Sequence, residues 1–217
     1  MAERNYTSAI ERLRVTPEVF TGSELTVLFG WKSAIASSYL ANWRKAGLVK
    51  SLGGRSDIHM NLVRNPHINP ELALRRAFPL AIMVGVDRLR AAGWTTQIPT
   101  LPEVAIALTS SRYSIDGFAL TVRPEKWFQT VKPGVEKVAG GIDRLRPAWA
   151  LADMINRAQD RRVRHAWLLD PDDLDLNSVL RSNTRSDLAA ALHAFELAPD
   201  CLEGSGYARI YDEFRRQ

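Results

Sequence analysis

Cysteine is almost absent from this chain of 217 residues, since Cys201 is the only one. We therefore expect neither an intrachain disulfide nor a cysteine-based metal site. The four histidines are also too scattered to show a metal-binding or catalytic spacing. They are His59, His67, His165 and His193.

Long apolar runs are absent as well. No stretch reaches the ~18 apolar residues that a membrane-spanning helix needs. The N-terminal segment MAERNYTSAIERLR mixes acids and bases and lacks the apolar region of a signal peptide. We therefore expect a soluble protein of the cytoplasm, with no membrane partner, no metal and no cofactor.

Motifs of known catalytic chemistry are missing too. Ser205 lies between two glycines, but no strand precedes it as a nucleophile elbow requires. Gly140-Gly141 lacks the strand-then-helix setting of a phosphate-binding loop. The acids between Asp170 and Asp175 alternate like calcium ligands, but the loop lacks its central glycine and closing glutamate, which favours turns and helix caps. The sequence therefore predicts no enzyme.

Positive charge is concentrated in the first third of the chain. Residues 1–70 contain nine bases and five acids, a balance of +4, whereas the remaining residues contribute only +1 to the total of +5. A local basic module beside a neutral one is typical of a nucleic-acid-binding protein, although a solvated basic surface gives the same count.

The sequence of residues 1–70 predicts several helices followed by a hairpin. Thr16-Pro17-Glu18 and Ser23 both have the pattern of a helix start. A further helix is predicted over 32–46, ended by Gly47. Strands are predicted over 48–52 and 58–63, around a Gly-Gly turn.

Apolar spacing predicts which face of the helix over 32–46 is buried. Ala36, Leu40 and Trp43 lie on one face and should pack against Leu25 and Leu28 of the preceding helix. In the second strand Ile58, Met60 and Leu62 alternate with His59 and Asn61, which predicts that one face is buried and the other solvated.

This order of helices and hairpin predicts a winged helix-turn-helix over residues 1–66. Short polar side chains on the exposed face of the last helix suit base edges in the major groove, and the cations beside them suit phosphates. The predicted DNA-contacting residues are Lys32, Ser33, Ser37, Ser38, Asn42, Arg44, Lys45, Lys50 and Arg55. The alternatives are a protein-interaction module and an inert surface.

Residues 67–217 predict a second domain of mixed α/β type, which makes the whole chain α+β. Its predicted helices span 69–77, 81–92, 147–157 and 178–197, the last of them in two pieces. Its predicted strands span 104–108, 118–122 and 127–131.

The segment Phe20–Val63 resembles the N-terminal winged helix of the AbiEi-type antitoxins of type IV toxin–antitoxin (abortive infection) systems. The resemblance continues over residues 73–99, where Phe78-Pro79, Gly93-Trp94 and Gln97-Ile98-Pro99 stand as in the family. The strands that follow and PAWALADMINRAQ are similar to the family's second domain. The family's wing often has an aromatic residue after its turn, where this chain has Ile58 and His59.

The resemblance implies an antitoxin that represses its own operon by binding double-stranded operator DNA, with inverted repeats as an expected arrangement. It further implies a nucleotidyltransferase-like toxin that is antagonised without a stable complex. DNA contact is carried over to Lys32, Ser33, Ser37, Ser38 and Arg55. The alternative functions are a winged-helix regulator whose second domain senses a small molecule in an apolar pocket, and an enzyme with a DNA-targeting head and clustered titratable residues.

Overall fold

The structure is a computed structural model that describes residues 8–53, 56–107, 114–159 and 169–197. The chain forms two compact units. The first comprises Met1–Leu80 with Arg112–Asp116 and Ala139–Ile142, and the second comprises Ala81–Ser111, Gly117–Val138 and Asp143–Gln217.

The first unit contains four helices and three short strands in the part of the chain that is described. Their order is α1 (Ala9–Val15), β1 (Val19–Thr21), α2 (Gly22–Phe29), α3 (Ser33–Lys45), β2 (Val49–Ser51), β3 (Ile58–Asn61) and α4 (Pro70–Ala77). The helix predicted over 32–46 and the two strands of the hairpin are confirmed to within a few residues.

The predicted helix start at Thr16-Pro17-Glu18 is wrong, because this segment ends α1 and leads into β1. The N–H and hydroxyl of Thr16 both bond to the carbonyl of Arg12 and close the helix. Helix α2 is capped by Thr21, two residues before the predicted cap Ser23. The Thr21 hydroxyl accepts the Glu24 N–H, and the Glu24 carboxylate accepts the Thr21 N–H, which satisfies two N–H groups at once.

The three strands form an antiparallel sheet in the order β1-β3-β2. The central strand β3 is buried along its whole length, so the predicted alternation of buried and solvated residues is wrong for His59 and Asn61. His59 packs on the ring of Phe20, with centroids 5.6 Å apart. A strand covered on both faces has no solvated side on which to place polar residues.

Asn61 is the polar residue that the covered sheet accommodates. Its amide donates to the carbonyl of Leu13 at 2.7 Å and to that of Thr16 at 3.1 Å. Its side-chain oxygen accepts the N–H groups of Val63 and Arg64. One fully buried side chain thus joins the end of α1 to β3 and to the chain leaving it.

The first unit extends beyond the predicted domain boundary at residue 66, because α4 packs against β1 and β3. Arg76 of α4 donates to the carbonyl of Val19 and pairs with Glu24. On the same helix, Arg75 donates to the Gly141 carbonyl and Glu71 accepts the Ile142 N–H. These bonds attach residues 139–142 to the first unit.

The second unit contains five strands and five helices in its described part. They are β4 (Ile82–Val84), α5 (Val86–Ala91), β5 (Glu103–Ile106), β6 (Ala119–Val122), α6 (Glu125–Val131), β7 (Val135–Glu136), β8 (Asp143–Leu145), α7 (Pro147–Gln159), α8 (Leu176–Val179) and α9 (Ser182–Ala194). Short 3₁₀ helices lie at Lys132–Gly134 and Pro171–Asp173.

Its sheet has the order β6-β5-β4-β8-β7 and mixes parallel with antiparallel pairs. The central strand β4 occupies part of the range predicted as one helix over 81–92, which is a correction. Every residue of Ile82–Val84 is buried, and a short apolar run of this kind fits a buried strand and a buried helix equally well. Gly85 ends the strand and α5 follows.

A second correction concerns residues 127–131, which were predicted as a strand and form most of α6. Trp127 and Val131, four residues apart, are the buried positions of this helix. The strands predicted over 104–108 and 118–122 are confirmed as β5 and β6 in the described residues, and the helix predicted over 147–157 is α7. Of the region predicted as helical over 178–197, Ser182–Ala194 forms α9, and its first two residues belong to the end of α8 (Leu176–Val179).

The α+β class is therefore confirmed, with two sheets and helices in both units. Each unit has its own apolar core. Among the residues that the structure describes, no helix is both long and apolar enough to cross a membrane.

Replacing Asn61 by alanine is expected to destabilise the protein by about 2 kcal/mol, since buried carbonyls lose their donor and a cavity remains. Urea denaturation followed by circular dichroism measures the change in the free energy of unfolding. The matched control Asn177→Ala, at an exposed position, should stay within about 0.5 kcal/mol of wild type. Equal stabilities of the two variants would contradict the role of Asn61.

Candidate nucleic-acid interface

Helix α3 buries one face and exposes the other. Ala36, Leu40 and Trp43 are all at most 5% exposed, which confirms the predicted stripe. They pack in one core with Leu25 of α2. The predicted second partner, Leu28, is 47% exposed. Leu28 precedes the end of α2 by one residue, and its side chain does not reach the core.

The turn between α2 and α3 sets the position of the exposed face. Gly30 has φ +64°, a left-handed conformation that glycine adopts without strain. The Trp31 N–H then bonds to the carbonyl of Thr26 and tightens the end of α2. Lys32 stands at the N-cap of α3, where no side chain caps the helix.

Eight of the nine predicted DNA-contacting residues are exposed, namely Lys32, Ser33, Ser37, Ser38, Asn42, Arg44, Lys45 and Lys50. The ninth, Arg55, lies outside the described residues. Seven of the eight lie on α3 or at its N-cap. The helix contains no acid along its length, so its surface charge is entirely positive.

The surface of α3 includes three residues that sequence reasoning did not select, namely Ala34, Ile35 and Tyr39. Ser38 and Asn42 lie one turn apart and line a shallow concavity with Ala34, Ile35 and Tyr39. Ile35 is 44% exposed. A branched apolar side chain beside an amide and a hydroxyl offers contact to a thymine methyl group next to hydrogen bonds. The signal was available in the helical spacing of 35, 38, 39 and 42.

Stacked aromatic rings brace the start of α3. The ring of Trp31 stacks between Phe29 at 4.6 Å and Tyr39 at 4.4 Å, and it approaches Trp43 at 6.1 Å. The guanidinium of Arg12 lies over Tyr39, 4.7 Å from its centroid. These contacts join α1, the turn and α3. Arg12 therefore contributes to packing as well as to the positive charge of the first unit.

The hairpin formed by β2 and β3 follows α3 in the sequence, and β2 packs against α3. Lys50 is exposed on β2 opposite Met60 of β3. At the hairpin's end the Leu52 N–H bonds to the carbonyl of Ile58, and the Ser56 N–H and hydroxyl bond to that of Gly53. These bonds hold residues 52–53 close to residues 56–58.

Asp57 links the hairpin to the N-terminus of α2. One of its oxygens accepts the Ser23 N–H at 3.4 Å, and the other lies 3.4 Å from His59 Nε2. Burial lowers the pKa of His59, and the contact with Asp57 opposes that shift only in part. The Nδ1 atom of His59 is buried and has no hydrogen-bond partner in the described part of the chain.

Because burial lowers the pKa of folded His59 below its unfolded value of about 6.5, the unfolded chain takes up the proton more readily. The contribution of neutral His59 to stability is therefore fully present above about pH 6.5 and is lost as the pH falls toward the folded pKa.

The variant His59→Phe should lose less thermal stability than wild type when the pH falls from about 7.5 to 5.5. Thermal unfolding at each pH measures the difference. The exposed His67→Gln is the matched control and should follow the wild-type profile. A wild-type profile in His59→Phe would show that His59 does not couple stability to pH.

The second unit contains a buried cluster of charged residues that the sequence did not reveal. Asp153 is 1% exposed and accepts hydrogen bonds from Arg123 at 2.6 Å and from the Trp127 indole at 2.7 Å. Burial raises the pKa of Asp153, against the opposing effect of Arg123. A buried carboxylate of this kind requires such partners.

Beside this pair, Glu103 accepts hydrogen bonds from Arg157 at 2.5 Å and from the Thr121 hydroxyl at 2.7 Å. The members of the cluster come from β5, α7 and the end of β6, and no spacing along the chain marks them. The enzyme alternative predicted a cluster of titratable residues, and one is present. Its carboxylates are nevertheless held in ion pairs, a structural arrangement that also shifts pKa values.

The acidic segment 170–175 forms turns and a cap, as predicted. Asp170 accepts the Asp172 N–H, and Asp175 caps α8 by accepting the N–H groups of Asn177 and Ser178. Within residues 8–53, 56–107, 114–159 and 169–197, no three His, Cys, Asp or Glu side chains are grouped so as to hold a metal ion. Cys201, His165 and Ser205 lie outside these ranges.

The chain matches no model of a known protein family, and no curated protein matches it. Its function must therefore be inferred from its residues and their geometry.

Proposed function

We propose that this protein binds double-stranded DNA through α3 and the β2–β3 hairpin. The observation that carries the proposal is the exposed face of α3, which contains small polar residues, no acid, and cations at both ends. A helix with this surface can approach the major groove closely, because Ala34, Ser38 and Asn42 have short side chains.

The connectivity of the first unit supports the same proposal. Helix, strand, two helices and a hairpin, with a sheet in the order β1-β3-β2, is the arrangement that we interpret as a winged helix-turn-helix. Ser37, Ser38 and Asn42 would read base edges. Lys32, Arg44 and the hairpin cations Lys50 and Arg55 would bind phosphates, which position the protein without reading sequence.

We further propose that the bound DNA is the protein's own operator, and that the protein is an autorepressor and antitoxin of a type IV toxin–antitoxin system rather than an enzyme. This step rests on the resemblance of Phe20–Val63 and residues 73–99 to the AbiEi-type antitoxins. The same proposal includes a cytoplasmic location and a nucleotidyltransferase-like toxin as the functional partner.

Charge reversal on α3 tests the DNA interface. Lys32→Glu and Ser37→Glu should each weaken binding to the DNA upstream of the reading frame by about tenfold or more, because each adds negative charge at the DNA groove. Gel-shift titration at fixed salt measures the affinity. Lys132→Glu, an exposed reversal in the second unit, is the matched control. Unchanged affinity in both α3 variants would refute the assignment of this helix.

Co-expression tests the antitoxin role. The adjacent reading frame should encode a nucleotidyltransferase-like protein that arrests growth alone and is tolerated when this protein is co-expressed. Lys32→Glu should relieve repression of a reporter fused to the upstream DNA, which measures the DNA function separately from rescue. An adjacent frame of another kind, or no rescue by the wild-type chain, would contradict the antitoxin role.

A DNA-binding regulator that senses a small molecule is the second candidate function. One observation favours it, an apolar cavity of about 290 Å³ in the second unit, between α5, β5, β6 and α7. Apolar cavities with a few polar groups are typical ligand sites. The two candidates differ in whether a small ligand or a toxin gene accompanies DNA binding.

A further inference from the structure

The cavity in the second unit has a mostly apolar wall. Val86 of α5, Ala119 of β6 and Leu101 of the segment between α5 and β5 face it. Leu101 is 42% exposed, so one side of the cavity is open to solvent. An apolar wall of this extent favours a ligand with a hydrocarbon body, because water forms few hydrogen bonds with apolar side chains.

Two of the charged groups in the cavity neutralise each other. Glu103 and Arg157 form an ion pair at 2.5 Å, and Thr121 donates to the same carboxylate oxygen. The other oxygen of Glu103 lies against Gly85, where a Cβ atom would approach it to 2.7 Å. Glu103 is therefore held in place, and Arg157 balances its charge.

Asp87 is the charged group that remains. It lines the same cavity, and its Oδ2 atom is buried without a hydrogen-bond partner among the described residues. Burial raises the pKa of Asp87, an effect that Arg90 and Arg88 oppose. Arg88 is directed elsewhere, because its Nε donates to the Leu145 carbonyl and its guanidinium lies 3.6 Å from Glu136.

A carboxylate that lines a mostly apolar cavity favours a cation there, because the cation balances its charge. We propose that this cavity is a binding site for a small organic cation, an ammonium or amidinium group attached to a compact apolar body, with Asp87 as its counter-ion. The cation would lie beside the Asp87 carboxylate, and the hydrocarbon part would lie against Val86, Ala119 and Leu101.

The size of the cavity limits the ligand. A cavity of about 150 Å³ accommodates benzene, so the 290 Å³ here suits one ring with a short amine-bearing chain. Phenethylammonium has these features and serves as a probe. 2-Phenylethanol and phenylacetate have the same ring and similar length but are neutral and anionic.

Isothermal titration of the full-length protein, without DNA, with each of the three probes tests the site. Phenethylammonium should bind about tenfold or more tightly than 2-phenylethanol, because the cation is attracted to the Asp87 carboxylate in a mostly apolar cavity. Phenylacetate should bind more weakly still. Because no DNA is present, failure of this test leaves the proposed DNA interface untouched.

Asp87→Asn should abolish the preference for the ammonium probe while leaving 2-phenylethanol binding within about twofold. Glu125→Gln is the matched control, since Glu125 is also an acid in the first turn of a helix of this unit but is exposed. It should keep the wild-type preference. Ala119→Leu narrows the cavity and should weaken both probes, and thermal unfolding verifies that each variant is folded.

Equal binding of the ammonium and alcohol probes, preferential binding of phenylacetate, or no binding of any probe to the wild-type chain would each overturn the proposal. Retention of the ammonium preference in Asp87→Asn would also overturn it, because the cation would then be recognised by another group.

Discussion

The burial of one face of α3 against α2 is the constraint on which the candidate interface depends. Ala36, Leu40 and Trp43 can leave water only if they face Leu25, and that choice determines which residues point outward. The described polar and cationic side chains of α3 that are proposed to contact DNA are exposed. They are displayed because the opposite side of the helix is fixed.

The three-stranded sheet packs beside this helix through β2, and its central strand contains the buried polar residue Asn61. Because β3 is covered on both faces, Asn61 cannot reach water and instead bonds to backbone groups near the end of α1 and beyond β3. His59 is buried in the same strand with one ring nitrogen unpartnered. Polar groups in a small core define its arrangement only when they are satisfied, and Asn61 meets that condition more fully than His59.

In the second unit, buried charged side chains form ion pairs. Its ionisable side chains are buried in pairs, Asp153 with Arg123 and Glu103 with Arg157, so each charge has a compensating neighbour. Such pairs add little net stability but are costly to break. Asp87 differs from these pairs, since it lines a cavity and its Oδ2 atom has no hydrogen-bond partner in the described part of the chain. Asp87 is therefore the residue that we propose as the counter-ion of a bound cation.

Local patterns in the sequence were sufficient for the α+β class, the span of α3 and the exposure of its polar face. Periodicity depends on neighbours three or four residues apart, and Ala36, Leu40 and Trp43 carry that signal within a single helix. The same local reasoning failed at β4 and at Trp127, where short apolar runs fit a strand and a helix equally well.

Only the tertiary structure decided which strand of the first sheet is covered on both faces, which side chain caps α2, and which charges meet in the second unit. Arg123, Asp153, Glu103 and Arg157 come from separate elements of that unit, and their pairing depends on how sheet and helix pack rather than on spacing along the chain. Contacts between distant residues are set by the whole core. For that reason the sequence indicated the face of α3, whereas the cavity beside Asp87 became visible only in the folded chain.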